Sequence, residues 1–297
     1  MTTTSATAAT LTTRPVGPPH LERGQRRASV ARTLKYVALL VFIIAVLIPV
    51  YVLLITSFKP PAETSSSAAW ALPVHWTTQG WSTAWDALSA PLLRTFGLAI
   101  PAALISSALG SANGFVLSKW RFPHADLVFT LFLFGMFIPY QAVMIPLVQM
   151  TQAIGLPSGI PTLILVHSVF GIPICTLIFR NYYASVPDEL VEAAQVDGAG
   201  MLRTFSSVIL PLSPPGFVVT IIWQFTSIWN DYLFAIFLSN NRNGPVTIAL
   251  NALAGGQLTN YAASMAGALI ASLPTLLVYI LLGRWFVGGL MAGSVKA

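Results

Sequence analysis

The chain is poor in charge and in cysteine. Only 8% of its 297 residues are charged, against 55% hydrophobic. A soluble domain carries roughly a quarter charged residues, so this scarcity points to a membrane protein. The single cysteine, Cys175, excludes an intrachain disulfide and any cysteine-based metal site. Acids are fewer than bases, giving a net charge of +6. The bases form no patch with interleaved aromatics, so they do not indicate a nucleic-acid partner. Also missing are a Gly-x-x-x-x-Gly-Lys-Ser/Thr phosphate loop, a His-Glu-x-x-His pair and a Gly-x-Ser-x-Gly turn. His20, His75, His124 and His167 are scattered without metal-ligand spacing. The chain is therefore expected to bind no ATP or metal, to carry no cofactor and to catalyse nothing.

What is present is long apolar runs. Six segments reach the roughly 20 residues that cross a bilayer core: 34–58, 93–118, 126–150, 161–183, 208–238 and 262–288. Lipid offers no partner to an unpaired backbone group, so each is helical and the expected fold is all-α with six transmembrane helices. Prolines 49, 101, 139, 146, 173 and 274 predict kinks. Residues 1–33, rich in Thr, Ala, Ser, Pro and Arg, read as a disordered tail ahead of a six-span domain over 34–297. The run 34–58 exceeds the roughly 7–15 apolar residues of a leader and is expected to be retained. Twelve of the fifteen lysines and arginines fall in the tail, the even-numbered inner loops and the C-terminal end. The positive-inside rule then places both termini of this cell-membrane protein in the cytoplasm. Trp70, Trp76, Trp81 and Trp85 cluster in the first outer loop, either as an interfacial belt or as a small packed cap.

The loop of about 184–208, between the fourth and fifth runs, is unlike an ordinary inner loop. Four of the chain's nine acids, Asp188, Glu189, Glu192 and Asp197, fall within ten residues. Acids in a first turn favour the positive helix end by roughly 0.3–1 kcal/mol each. Leu190, Ala193, Ala194 and Asp197 share one thin helical face that another surface can approach closely. Gly198 suits the left-handed position after the helix, while Asp197 alternatively caps the next one. There Met201, Leu202, Phe205, Val208 and Ile209 form an apolar stripe toward the bilayer. Helices that lie on the inner leaflet are usually basic, so this acidic one is better read as a docking surface than as a lipid contact.

Glu192-Ala193-Ala194, three residues, Gly198, nine residues and Val208-x-Leu210-Pro211 resembles the EAA motif of ABC-type import permeases. The family usually has isoleucine where Val208 stands. Four more segments are similar to the sugar-importer branch of maltose-transporter type. They are Thr56-Ser57-Phe58-Lys59-Pro60-Pro61-Ala62-Glu63, Lys119-Trp120-Arg121-Phe122-Pro123, Trp229-Asn230-Asp231-Tyr232 and Gly289-Leu290-x-Ala292-Gly293-x-Val295-Lys296. The resemblance covers about residues 34–297. It implies one permease subunit of a binding-protein-dependent importer, completed by a second homologous permease subunit. It further implies two ATPase subunits carrying ATP and Mg, an extracellular solute-binding protein and a sugar cargo. ATPase docking is then expected at Asp188, Glu189, Glu192, Ala193, Ala194, Asp197, Gly198 and Arg203. Receptor contact is expected at Asn251, Gly255, Gly256 and Gln257.

Polar residues inside the apolar runs are candidates for the translocation path: Asn113, Tyr140, Gln141, Asn230, Asp231 and Tyr232. Each also has a structural reading, as interhelical glue or, for Asp231, as an acid bonded to backbone or to an indole. His167 reads more simply as a neutral histidine bonded to a neighbouring helix. The alternative cargo is a polyol or glycerol phosphate; basic residues are nearly absent from the runs, which favours a neutral sugar over an anion such as the phosphate. Two other classes stand as rivals: an ion-driven transporter relaying protons through Asp231 or His167, and a membrane enzyme or scaffold.

Overall fold

The computed structural model describes residues 19–65, 68–120, 122–255 and 260–291, with side chains over 31–283 of these. Among the described residues there is no strand. Two units divide between Val52 and Leu53, and every element discussed below from Leu53 onward belongs to the second.

The first helix, α1 (Pro19–Ser57), runs 39 residues with Pro49 inside it. It starts within the stretch expected to be disordered, where Leu21, Glu22, Gln25 and the arginines all favour helix. Residues 1–18 of that expectation, Arg121 of the second-loop motif and 292–297 of the C-terminal motif lie outside the described residues.

Beyond α1 come α2 (Gln79–Lys119), α3 (Ala125–Phe137), α4 (Met144–Ala153) and α5 (Ile160–Ala184). After them lie α6 (Asp188–Val196), α7 (Met201–Thr204), a π-turn over Phe205–Ile209 and α8 (Leu210–Leu212). The described chain closes with α9 (Pro214–Trp229), α10 (Leu233–Leu238), α11 (Val246–Ala254) and α12 (Tyr261–Met291). Among the described residues, four helices are long and apolar enough to cross a membrane: Ala31–Ser57, Gln79–Lys119, Ile160–Ala184 and Tyr261–Gly283. The third and fifth expected spans are not straight rods. The third bends by 86° between Phe137 and Tyr140, the fifth by 78° around Ser213, and six spans result only if each bent pair is one. Pro139 forces Ile138 out of the helical region (φ −69°, ψ 119°), which explains the first bend. At the second, Pro214 and Pro215 supply no backbone donors, so the α8 ladder cannot continue into α9. The expected span 208–238 breaks again at Asn230–Tyr232, before α10.

At about 60 Å, α2 is roughly twice the hydrocarbon thickness. It begins well before the expected 93, so Trp81 and Trp85 lie on this helix and not in the loop. Small residues let α2 and α5 touch backbone to backbone. A Cβ added to Gly110 would stand 2.3 Å from that of Cys175, and one added to Gly114 2.7 Å from that of Phe179.

The loop after α1 is a packed cap. Phe58 lies between Trp76 and Trp81, at 5.9 and 5.5 Å. Lys59 is buried and its Nζ donates to the Ala68 carbonyl at 2.7 Å. Glu63 accepts from the Val74 and His75 amides at 2.9 and 3.2 Å and meets the His75 ring at 2.9 Å. These bonds give the Thr56–Glu63 motif a structural role.

Candidate functional site

The acidic segment folds as an elbow. Pro187 precedes α6, and Asp188 and Glu189 fill its first turn. The helix ends in a Schellman motif: Ala199 N–H donates to the Ala194 carbonyl at 2.9 Å and Gly198 N–H to Gln195 at 3.0 Å. Gly198 has φ +78°, the left-handed conformation that glycine adopts without strain. Asp197 is thus the C-cap of α6, while Gly200 stands at the start of α7. Glu189, Leu190, Glu192, Ala193, Asp197, Gly198 and Arg203 are exposed, and Ala194 is half-buried. Leu202, expected on the inward stripe, is instead 76% exposed, while Ile209 of the same stripe is fully buried.

One residue anchors the elbow from beneath. Val191 packs with Phe115 of α2, Phe179 and Tyr183 of α5, and Ile209. Lys119, with its side chain 5% exposed, pairs with Asp188 and donates to the Val186 carbonyl. Arg180 of α5 binds Asp126 of α3 at 2.9 Å and lies over the Phe129 ring.

A relay of hydroxyls fastens the bend behind it. Ser213 Oγ donates to the Ile209 carbonyl at 2.6 Å. It has one hydrogen, so it accepts from the Tyr183 hydroxyl at 2.8 Å. Tyr183 in turn accepts from Ser111 of α2 at 2.6 Å. Tyr182 adds a bond to the Leu212 carbonyl at 2.6 Å.

The second feature is a cleft of about 920 Å³ bounded by the end of α3, the turn at Tyr140, α5, α9 and α10. It brings together Tyr140, Asn230, Asp231 and Tyr232 of the expected path. Gln141, though next to Tyr140, and Asn113 do not border it. Asn113 lies on α2 beside Gly114, near the elbow end. Asp231 caps α10: its carboxylate accepts from the Phe234 and Ala235 amides at 3.5 and 3.2 Å. Asn230 donates to the Thr226 carbonyl at 2.8 Å. The Trp229 indole bonds Ala271 of α12, not Asp231. The cleft also takes in His167 and Gln224, which sequence reasoning left out of the path. A polar residue on a helix that keeps glycine at 171 was the available signal.

The segment after α10 is held down and leads into α11. Arg94 Nε donates to the Gly244 carbonyl at 2.9 Å, and Val246 N–H donates to Thr95 Oγ1 at 2.8 Å. Asn251 and Gly255 are exposed at the end of α11. Gly256 and Gln257 lie outside the described residues. Among the described residues no group of three or more His, Cys, Asp or Glu could hold a metal.

A family model described as the binding-protein-dependent transport system inner membrane component matches residues 108–290, from mid-α2 through the elbow and cleft into α12. The chain belongs to that family. It is a multi-pass membrane protein, a permease of the ABC class. Among its relatives is the xylose/arabinose import permease protein of Haloferax volcanii, 33% identical over 285 residues, covering 87% of this chain and 92% of that one. A "Probable ABC transporter permease protein" of Pyrococcus horikoshii is 51% identical over 164 residues. That match covers 55% of this permease and 60% of the relative. A solved chain from a bacterial ABC transporter involved in the import of the acidic polysaccharide alginate shares the fold. Its TM-score is 0.74 at 21% identity, over 88% of this permease and 98% of that chain.

Proposed function

We propose that this permease forms one half of the membrane pathway of an ATP-driven importer of neutral sugars. A second homologous permease subunit completes the pathway, two ATPase subunits dock on the inner face, and an extracellular binding protein delivers cargo at Asn251–Gln257. ATP and Mg belong to the ATPases. Both termini lie in the cytoplasm. The elbow carries the proposal: an acidic, exposed helix, anchored through Val191 to α2 and α5 and continuous with a bend in a membrane helix. ATP-driven closure of the ATPases moves that elbow, and the bent helices alternate between inward- and outward-facing states. Such a shift needs a contact whose strength differs between the two states, which the ATPase surface provides at Glu192, Ala193, Ala194 and Gly198.

Two observations support a neutral sugar. The Haloferax relative is a xylose/arabinose permease. The residues bordering the cleft include no lysine or arginine, so an anion such as glycerol phosphate would lack a counter-charge there. Glu192→Lys reverses a charge on the exposed face, and Gly198→Asp strains the cap without a clash, since no atom lies within 4 Å of an added Cβ. Each is expected to abolish ATP-driven uptake in vesicles while leaving the protein in the membrane. Uptake at the wild-type rate in both would refute the docking role.

A further inference from the structure

The cleft holds a loosely engaged His–Asp pair. The His167 side chain is 8% exposed, and its Nε2 has no hydrogen-bond partner. Asp231 Oδ2 lies 3.5 Å from it. The two groups are within ion-pair range, but Nε2 makes no aligned hydrogen bond to the carboxylate.

The gap is held open from both sides. Asp231 is fixed by the amides of Phe234 and Ala235, and its carbonyl accepts the Thr247 hydroxyl at 2.8 Å. A swing of the carboxylate toward the imidazole would weaken the α10 cap. The His167 ring meets the edge of Phe234 at 5.2 Å, which limits its own rotation. Each carboxylate oxygen has two acceptor sites, so Oδ2 retains capacity beyond the Ala235 amide. Tyr140 stacks on Phe234 at 5.5 Å, and Phe170 lies 5.0 Å from it. Two polar atoms at a fixed spacing thus sit beside a wall of aromatic rings.

We propose that His167 and Asp231 are specificity-determining residues that bind two adjacent hydroxyls of a sugar during its passage. This rests on the sugar-importer reading above. One hydroxyl donates to Asp231 Oδ2, and its neighbour on the ring bonds His167 Nε2. Adjacent hydroxyl oxygens on a sugar are close enough together to engage both protein atoms once a small turn of the His167 ring opens the buried Nε2 to the cleft. The apolar C–H face of the same ring lies against the aromatic wall. A cargo lacking one hydroxyl leaves a buried group unpaired, which is how such sites reject deoxy analogues. The permease itself thereby selects cargo, in addition to the receptor.

The test uses the whole importer, with partner permease, ATPases and binding protein, reconstituted in vesicles. Uptake of labelled glucose, xylose and arabinose identifies the best cargo, and its monodeoxy analogues are then compared. The receptor is the same in every complex, so a change in the deoxy penalty between variants belongs to this chain. In the wild type, removing one of two adjacent hydroxyls should lower kcat/KM about tenfold or more. In His167→Leu or His167→Met the same removal should matter less than about twofold. His167→Gln, which keeps a donor and acceptor, should restore part of the discrimination, and Asp231→Asn should keep the α10 cap but weaken the second contact. Co-purification with the ATPases checks assembly, and either apolar variant suffices. Equal deoxy penalties in the wild type and the apolar variants would overturn the proposal. A wild-type complex with no ATP-dependent uptake of any of the three sugars would overturn the sugar-importer reading itself.

Discussion

Replacing Tyr183 with phenylalanine tests whether the hydroxyl relay fastens the bend at Ser213. The ring is fully buried, 5.5 Å from Phe179 and 5.7 Å from Tyr182, so phenylalanine keeps the packing and removes only an oxygen. That oxygen makes two bonds, at 2.6 and 2.8 Å. A net intramolecular hydrogen bond contributes about 0.5–1.5 kcal/mol. Ser213 keeps its bond to Ile209, but buried Ser111 loses its acceptor, so the combined loss is about 2 kcal/mol. For a body of this length that lowers Tm by about 4–8 °C. Tyr182→Phe removes one bond from a half-buried ring and should lower Tm by half that or less. Tryptophan-emission melts of the detergent-purified complex measure both. Vesicle uptake per ATP hydrolysed should fall in Tyr183→Phe, because the loosened bend joins the elbow to α9. A Tyr183→Phe complex that melts with the wild type would refute the relay as a fastening.

The remaining predictions concern other joints of the same body. Gly110→Ala pushes a Cβ into Cys175 and should cost about 1–3 kcal/mol in thermal melts. Gly97→Ala in the same helix meets nothing within 4 Å and should be neutral or stabilising by up to about 1 kcal/mol, so equal melting of the two would contradict the close α2–α5 contact. Lys119→Met keeps an apolar stem but releases Asp188 and the Val186 carbonyl; amide exchange across 188–196 should quicken, and unchanged exchange would remove Lys119 as the anchor of α6. The His75 ring, then the Val74 amide, hold the Glu63 carboxyl below the usual carboxylate range. A folded-state pKa below the unfolded one gives stability that is complete above the unfolded value and lost as pH falls through the folded one. Amide protection at Val74 and His75 should therefore drop below about pH 4 in the wild type. In Glu63→Gln it should be low throughout, and an identical acid profile in both would rule out the carboxylate.

The sequence made the elbow legible because its signals are local. Acids in a first turn, alanines on one face and a glycine at the cap are read from consecutive residues, and the helix ends where they say. The bends were half-legible. Pro139 and the Pro214-Pro215 pair stood in the sequence, but Pro49, Pro101, Pro173 and Pro274 did too, and those remain inside continuous helices. What separates them is whether neighbouring side chains re-satisfy the freed carbonyls, which is a tertiary property. The break at Asn230–Tyr232 was hidden for a related reason. Apolar residues flank it on both sides, so a window average spans it, and only the Asp231 cap on α10 reveals it. The His167–Asp231 gap could not be read at all, since the two residues lie 64 positions apart, one on α5 and the other in the break before α10.

The elbow and the cleft are two ends of one rod. Between the Ser213 bend and Asn230 stands α9, 16 residues and about 24 Å long. Its near end is pinned through Tyr183 to α2 and α5, and its far end carries Asn230 and leads directly to Asp231. His167 rides on α5, on the other side of the pin. Gln224 of α9 also donates to the Gly171 carbonyl of α5 at 2.9 Å, so the two helices are tied midway along the rod. On the function proposed above, a displacement at the elbow would reach the cleft through α9, and a cargo held in one state and released in the other would need such a link.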